Sequence, residues 1–110
     1  MSSGRYAVSY HEGVGEAHYD LFLEEGETLL TWRLSEPPEH GHVVAVRKPD
    51  HRKVYLDYSG PLSSLRGWVT IHSMGTFVRH GETLVLEGGP SAGRYRFPGE
   101  KLLEAESPAP

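Results

Sequence analysis

Two imidazoles and a carboxylate mark where chemistry is to be sought in this chain. His18 and Asp20 are separated only by Tyr19. On an extended strand side chains repeat every second residue, so His18 and Asp20 project from one face. An imidazole beside a carboxylate is a chelate for a divalent cation. His11 lies upstream, across a stretch that holds Gly13 and Gly15, and is close enough to return as a third ligand. Aspartate is depleted in strand interiors, so Asp20 in the middle of one argues for a task. Further along stand Asp50-His51 and Tyr55. Taken alone, His51 also fits turn chemistry after Pro49-Asp50, and Tyr55 also fits a half-buried strand position.

The elements that must position these groups are short strands. Glycine (13) and proline (8) punctuate the chain at close intervals. Between them lie runs rich in Val, Leu, Thr, Tyr and Trp. The pattern predicts strands over 5–10, 17–24, 28–34, 42–48, 53–58, 68–73, 76–80, 83–87 and 92–97. Turn signals fall at Glu25-Gly26, Pro37-Pro38, Gly60-Pro61, Met74-Gly75, His80-Gly81 and Gly88-Gly89-Pro90. Leu62 to Arg66 has room for one short helical turn. The expected fold is all-β and mostly antiparallel, a small closed or partly open β-barrel with little helix. Over 17–24 alternation assigns Ala17, Tyr19, Leu21 and Leu23 to the core and His18, Asp20, Phe22 and Glu24 to the opposite face. Leu30, Trp32 and Leu34 share a face. In 53–58, Val54, Leu56 and Tyr58 are the core candidates, which leaves Tyr55 on the polar face. Trp32 and Trp68 are expected as core anchors. His40 and His42 read as an exposed loop pair, and His72 and His80 as structural or surface residues.

Composition narrows the class. The chain has 110 residues, which suits one domain. Residues 1–103 are assigned to it and 104–110, rich in Pro, Ala and Glu, to a frayed tail. There is no cysteine, which excludes a disulfide scaffold and a thiolate metal site. No apolar run approaches a membrane span, and no signal core opens the chain, so a cytoplasmic location without membrane attachment is expected. The net charge of −4 argues against binding nucleic acid along a whole face. Locally, however, Arg47, Lys48, Arg52 and Lys53 surround His51 in a basic segment. With no apolar stripe left over, a monomer is expected.

An ordered set of blocks then resembles a known family. Arg5-Tyr6-Ala7-Val8, His11, His18-Tyr19-Asp20-Leu21, Leu30-Thr31-Trp32, Ala45-Val46, Asp50-His51, Tyr55-Leu56-Asp57-Tyr58-Ser59-Gly60, Ile71-His72-Ser73-Met74-Gly75-Thr76-Phe77 and Gly93-Arg94-Tyr95-Arg96-Phe97 resemble the 3′-phosphoesterase domain of bacterial DNA ligase D. The likeness runs over about residues 5 to 98. It implies a small β-barrel that removes a 3′-phosphate or a 3′-terminal ribonucleotide from DNA during end joining and repair. It implies a divalent metal, typically manganese, held by His11, His18 and Asp20. It implies that His51 and Tyr55 act on the scissile phosphate. Partners implied are DNA 3′ ends and the ligase or polymerase of a repair complex. The residue types suit the task, because a cation polarises a phosphoryl oxygen and lowers the pKa of bound water. They do not choose between manganese, zinc and iron.

The chain also departs from that family. An arginine expected two residues after the aspartate is replaced by Phe22, and a second falls on Val43. Phenylalanine cannot grip phosphate as arginine does. The interval from His11 to His18 is one residue longer than usual, and the loop after Gly60 is shortened to Pro61–Gly67. Arg47, Arg52, Arg66 and Arg33 are the candidates to compensate. The expectation is a metal-dependent phosphoesterase. The alternatives are a module without turnover that keeps the barrel and binds DNA ends or proteins, and a small-molecule phosphoesterase. The metal is expected at the mouth of the barrel.

Overall fold

In the computed structural model, residues 1–106 are described, and they fold as a closed antiparallel barrel. The strands are β1 (Ser2–Glu12), β2 (His18–Glu25), β3 (Thr28–Leu34), β4 (His42–Arg52), β5 (Gly60–Pro61), β6 (Trp68–His80), β7 (Thr83–Glu87), β8 (Gly93–Arg96) and β9 (Leu102–Ala105). The sheet runs β1-β2-β3-β4-β9-β8-β7-β6 and closes where β6 pairs with β1. β5 is a short extra rung on β6. Among the described residues helix is confined to three short 3-10 turns, at Pro38–His40, Lys53–Leu56 and Pro98–Glu100. No helix among the described residues is long and apolar enough to cross a membrane.

A barrel of this size has an interior just wide enough for side chains to fill. Alternation supplies them. Tyr6, Val8, Leu21, Leu23, Trp32, Leu34, Phe77, Leu84, Leu86, Tyr95 and Leu103 form the main core. The two core tyrosines have their hydroxyls bonded, as burial requires, whereas Trp32 Nε1 has no partner among the described residues. The Tyr6 hydroxyl donates to the Gly88 carbonyl at 2.6 Å, and Tyr95 donates to Ser91 O at 2.7 Å. Burial pushes the Tyr95 hydroxyl up to about 12, so it remains a donor. A second, smaller cluster of Ala7, Phe22, Leu29 and Leu56 lies on the outer face of β1, β2 and β3. The segment that follows β4 covers this face.

Five expectations are corrected. Residues 68–73 and 76–80 are one strand, β6, with no turn at Met74-Gly75. A Cβ on Gly75 would come within 1.8 Å of the Glu87 carbonyl oxygen, so this glycine permits close strand approach rather than a reversal. Residues 53–56 form a 3-10 turn, not a strand, and of the core candidates Leu56 is buried and Tyr58 half-buried, while Val54, like Ala17 just ahead of β2, is exposed. Residues 62–66 are an irregular loop, with Ser64 and Leu65 in left-handed conformations. Trp68 is 51 % exposed, so only Trp32 anchors the core. Strand β9 was unforeseen, and Glu104 and Ala105, assigned to a frayed tail, belong to it. Glu104 pairs with His42, and Ala105 N–H donates to Gly41 O at 2.9 Å. The rest of that tail, 107–110, lies outside the described residues. His40 and His42 are exposed as expected. His72 is tied to Glu39.

Candidate metal centre and adjoining cleft

The first half of the site is built on two paired strands. In the β1–β2 register Ala7 faces Phe22, Ser9 faces Asp20 and His11 faces His18. Cross-strand partners share a face, and Leu21 and Leu23 take the opposite one, into the barrel core. The site therefore lies on the outer wall of the barrel, not at its mouth.

His11, His18 and Asp20 each bring one donor atom into a group whose members lie within 4.8 Å of one another. His18 Nε2 is 3.3 Å from Asp20 Oδ2. Two ligands each about 2.1 Å from one cation are separated by roughly 3.0–3.4 Å. The surroundings orient the rings. His18 Nδ1 lies 3.2 Å from the Glu16 carbonyl, which can only accept, so Nδ1 carries the proton. Nε2 then presents its lone pair. That atom is buried, and no protein group hydrogen-bonds it. His11 Nε2 donates to the Arg66 carbonyl at 2.7 Å, which leaves Nδ1 as the ring's lone-pair atom. A ring nitrogen tied to a backbone carbonyl is the usual outer support of a metal-bound histidine. His18 is only 8 % exposed and Asp20 6 %. A buried lone pair facing a buried carboxylate is unfavourable unless a cation or proton lies between them. The donor set fits a divalent metal on these grounds.

The second half comes from the covering segment. Along β4, Ala45 and Arg47 oppose Leu34 and Trp32, both on the inner face. Uninterrupted alternation would carry His51 inward too. Between the pairs Thr31↔Lys48 and Leu29↔His51 the register shifts, with both Pro49 and Asp50 on β4 set against Leu30. A one-residue bulge reverses the parity of all that follows. His51 thus emerges opposite Leu29, on the outer face. Its Nδ1 donates to the Pro49 carbonyl at 2.9 Å, leaving Nε2 as the free ring nitrogen. The 3-10 turn then swings Tyr55 back, so that its ring lies 6.0 Å from that of His51. Leu56 anchors the turn against Ala7, Phe22 and Leu29. Lys53 Nζ lies 3.0 Å from Glu24 Oε2. The Arg5 backbone N–H donates to the same carboxylate at 3.0 Å. That hydrogen bond first, then Lys53, holds the Glu24 carboxyl below its ordinary 4.5.

The two halves enclose one cleft of about 370 Å³. His11, Asp20, His51 and Tyr55 all line it. Phe22 forms part of its wall, with ring centroids 5.3 Å from His51 and 6.4 Å from Tyr55. Of the four candidate arginines, Arg52 and Arg66 line the cleft. Arg47 instead reaches over Trp32 and pairs with Asp50 at 3.1 Å. Arg33 lines a separate hollow with Val44, Val46 and His18, which does not itself line the cleft. Val43 is buried in the barrel core, where no phosphate could reach it. Two contributors went unread in the sequence. Ser9 is buried beside Asp20, and its hydroxyl has no protein partner. Its place two residues before His11 was the available signal. Gly67 (φ +90) lies so close to β1 that a Cβ would sit 2.1 Å from Glu12 O. That approach is what brings the Arg66 carbonyl to His11. Searched against protein-family models and against curated proteins, the chain matches none.

Proposed function

We propose that this protein is a divalent-metal-dependent phosphoesterase acting on DNA 3′ ends, removing a 3′-phosphate or a 3′-terminal ribonucleotide in end-joining repair. The observation that carries the reading is the orphaned, buried Nε2 of His18, 3.3 Å behind Asp20, which itself lines a cleft together with His11, His51 and Tyr55. The ligase D phosphoesterase resemblance of the sequence blocks points the same way. His18 Nε2, an Asp20 oxygen and His11 would hold the metal, manganese in preference and zinc as second choice. Bound there, it supplies Lewis acidity toward a phosphoryl oxygen.

The chain's own groups supply the rest. Arg52 and Arg66 place positive charge along the cleft, where Phe22 contributes none. The Tyr55 hydroxyl donates to a non-bridging phosphate oxygen. His51, held by Pro49 O, moves a proton at Nε2. In hydrolysis the oxygen of water bonds to phosphorus, the bond from phosphorus to the 3′ oxygen breaks, and a proton ends on that 3′ oxygen. A chain of this kind would work in the cytoplasm as a monomer, beside a ligase or polymerase.

One observation favours a second reading. Phe22 is packed against both His51 and Tyr55. An apolar wall there suits a module that keeps the metal and grips DNA ends or a repair protein without turnover. The assay uses manganese and a primer-template ending in 3′-phosphate. The enzyme reading predicts phosphate release that His18→Ala abolishes. Inert wild-type protein that still binds manganese would establish the module, and gain of turnover in Phe22→Arg would mark a degenerate enzyme.

A further inference from the structure

A second hollow, of about 210 Å³, opens beside the cleft and shares Arg52, Tyr55 and Leu62 with it. Its remaining walls are Val54, Tyr58, Pro61 and Ser63, none of them acidic. Tyr55 and Tyr58 meet edge to face, with centroids 6.1 Å apart and planes at 80°. The Tyr58 hydroxyl donates to the Pro61 carbonyl at 2.5 Å. That bond fixes the ring and occupies its one proton, so what Tyr58 offers the hollow is a flat aromatic surface. The lining thus combines two aromatic rings and three apolar residues with the polar Ser63 and one exposed guanidinium at the boundary with the cleft.

We propose that this hollow is a base subsite, taking the planar nucleobase of the nucleotide whose phosphate lies in the cleft. Tyr55 stands between the two compartments, with its hydroxyl assigned to the phosphate and its ring to the base. Arg52 neutralises the phosphate and stacks on or flanks the base. Aromatic walls accept every base, because each has a π-face, so the subsite selects a nucleoside over an alkyl group without reading sequence. The inference rests on the phosphate reading of the cleft.

Calorimetric titration of the manganese-loaded protein tests it with three probes: adenosine 3′-phosphate, methyl riboside 3-phosphate and adenosine. The expected result is that the adenine ring tightens binding of the phosphate about tenfold. Tyr58→Leu removes that advantage, while Tyr58→Phe, which keeps the ring, retains it. Equal affinity of the two phosphates for wild-type protein, or an advantage that survives Tyr58→Leu, overturns the subsite and leaves the phosphate reading intact. If neither phosphate binds more tightly than adenosine, the phosphate reading falls. The base subsite, which takes the base of that same nucleotide, then falls with it.

Discussion

The two walls of the cleft are built in opposite ways. On one, His11, His18 and Asp20 ride on paired strands whose other face is the barrel core. Their positions are set by the same register that buries Leu21 and Leu23. On the other, His51 and Tyr55 depend on a bulge, a 3-10 turn and a few local anchors. The strand wall is fixed by the whole barrel. The covering wall is fixed by Leu56, by the Lys53–Glu24 pair and by the backbone bond of His51. On the proposed reading, the candidate cation site takes its rigidity from the barrel, whereas the groups proposed to meet the substrate sit on a strap. Perturbing the strap should therefore leave metal binding standing.

The largest expected effect comes from the strap's anchor. Leu56→Ala empties a buried position and should lower stability by about 2–4 kcal/mol, read as a shift in the denaturant midpoint. Manganese affinity should stay within a few fold of wild type, while phosphate release falls. Equal loss of both would mean that the walls are not independent. Ser9 probes the strand wall. Its buried hydroxyl has no protein partner, so Ser9→Ala should leave the metal-free protein as stable or up to about 1 kcal/mol more stable. A thermal melt that drops by several degrees would contradict this.

The smallest effect concerns the clamp between the walls. The Glu24 carboxyl is held below 4.5 by the Arg5 backbone N–H and by Lys53. A group whose pKa is depressed in the folded state stabilises it above the unfolded value and loses that contribution as pH falls through the folded one. Glu24→Gln should thus cost less than about 1 kcal/mol at pH 7. Once acid has protonated the wild-type carboxyl, below pH 4.5, the two proteins should converge. A gap that persists into strong acid would assign the effect to packing instead.

The same contrast decides what the sequence could disclose. The shared face of the candidate metal ligands His18 and Asp20 was legible because period-two alternation in β2 sorts Tyr19, Leu21 and Leu23 from them, and the barrel keeps that alternation unbroken. A barrel followed from the number and spacing of strands, but whether it was closed or partly open did not; the pairing of β6 with β1 decides that. The strap was less legible. A bulge at Pro49-Asp50 reverses the face of His51, and alternation counted from Ala45 cannot reveal it. Residues 53–56 have strand-like composition, but the chain turns there to dock Leu56. Gly75 looked like a turn because glycine serves both reversals and close approach, and only the neighbouring Glu87 carbonyl distinguishes them. β9 was missed because Leu102 and Leu103 were too short a run beside a polar end, and its pairing with β4 is long-range. Which arginines reach the cleft depends on loop paths that no local pattern encodes.

The central claim is tested most directly by titrating manganese into the wild-type protein and into His18→Ala, following free Mn²⁺ by electron paramagnetic resonance. A single saturable site in the wild type that disappears in His18→Ala, with both proteins folded by circular dichroism, is the predicted result. Saturable binding that survives the substitution, or no saturable binding by the wild type, would contradict it.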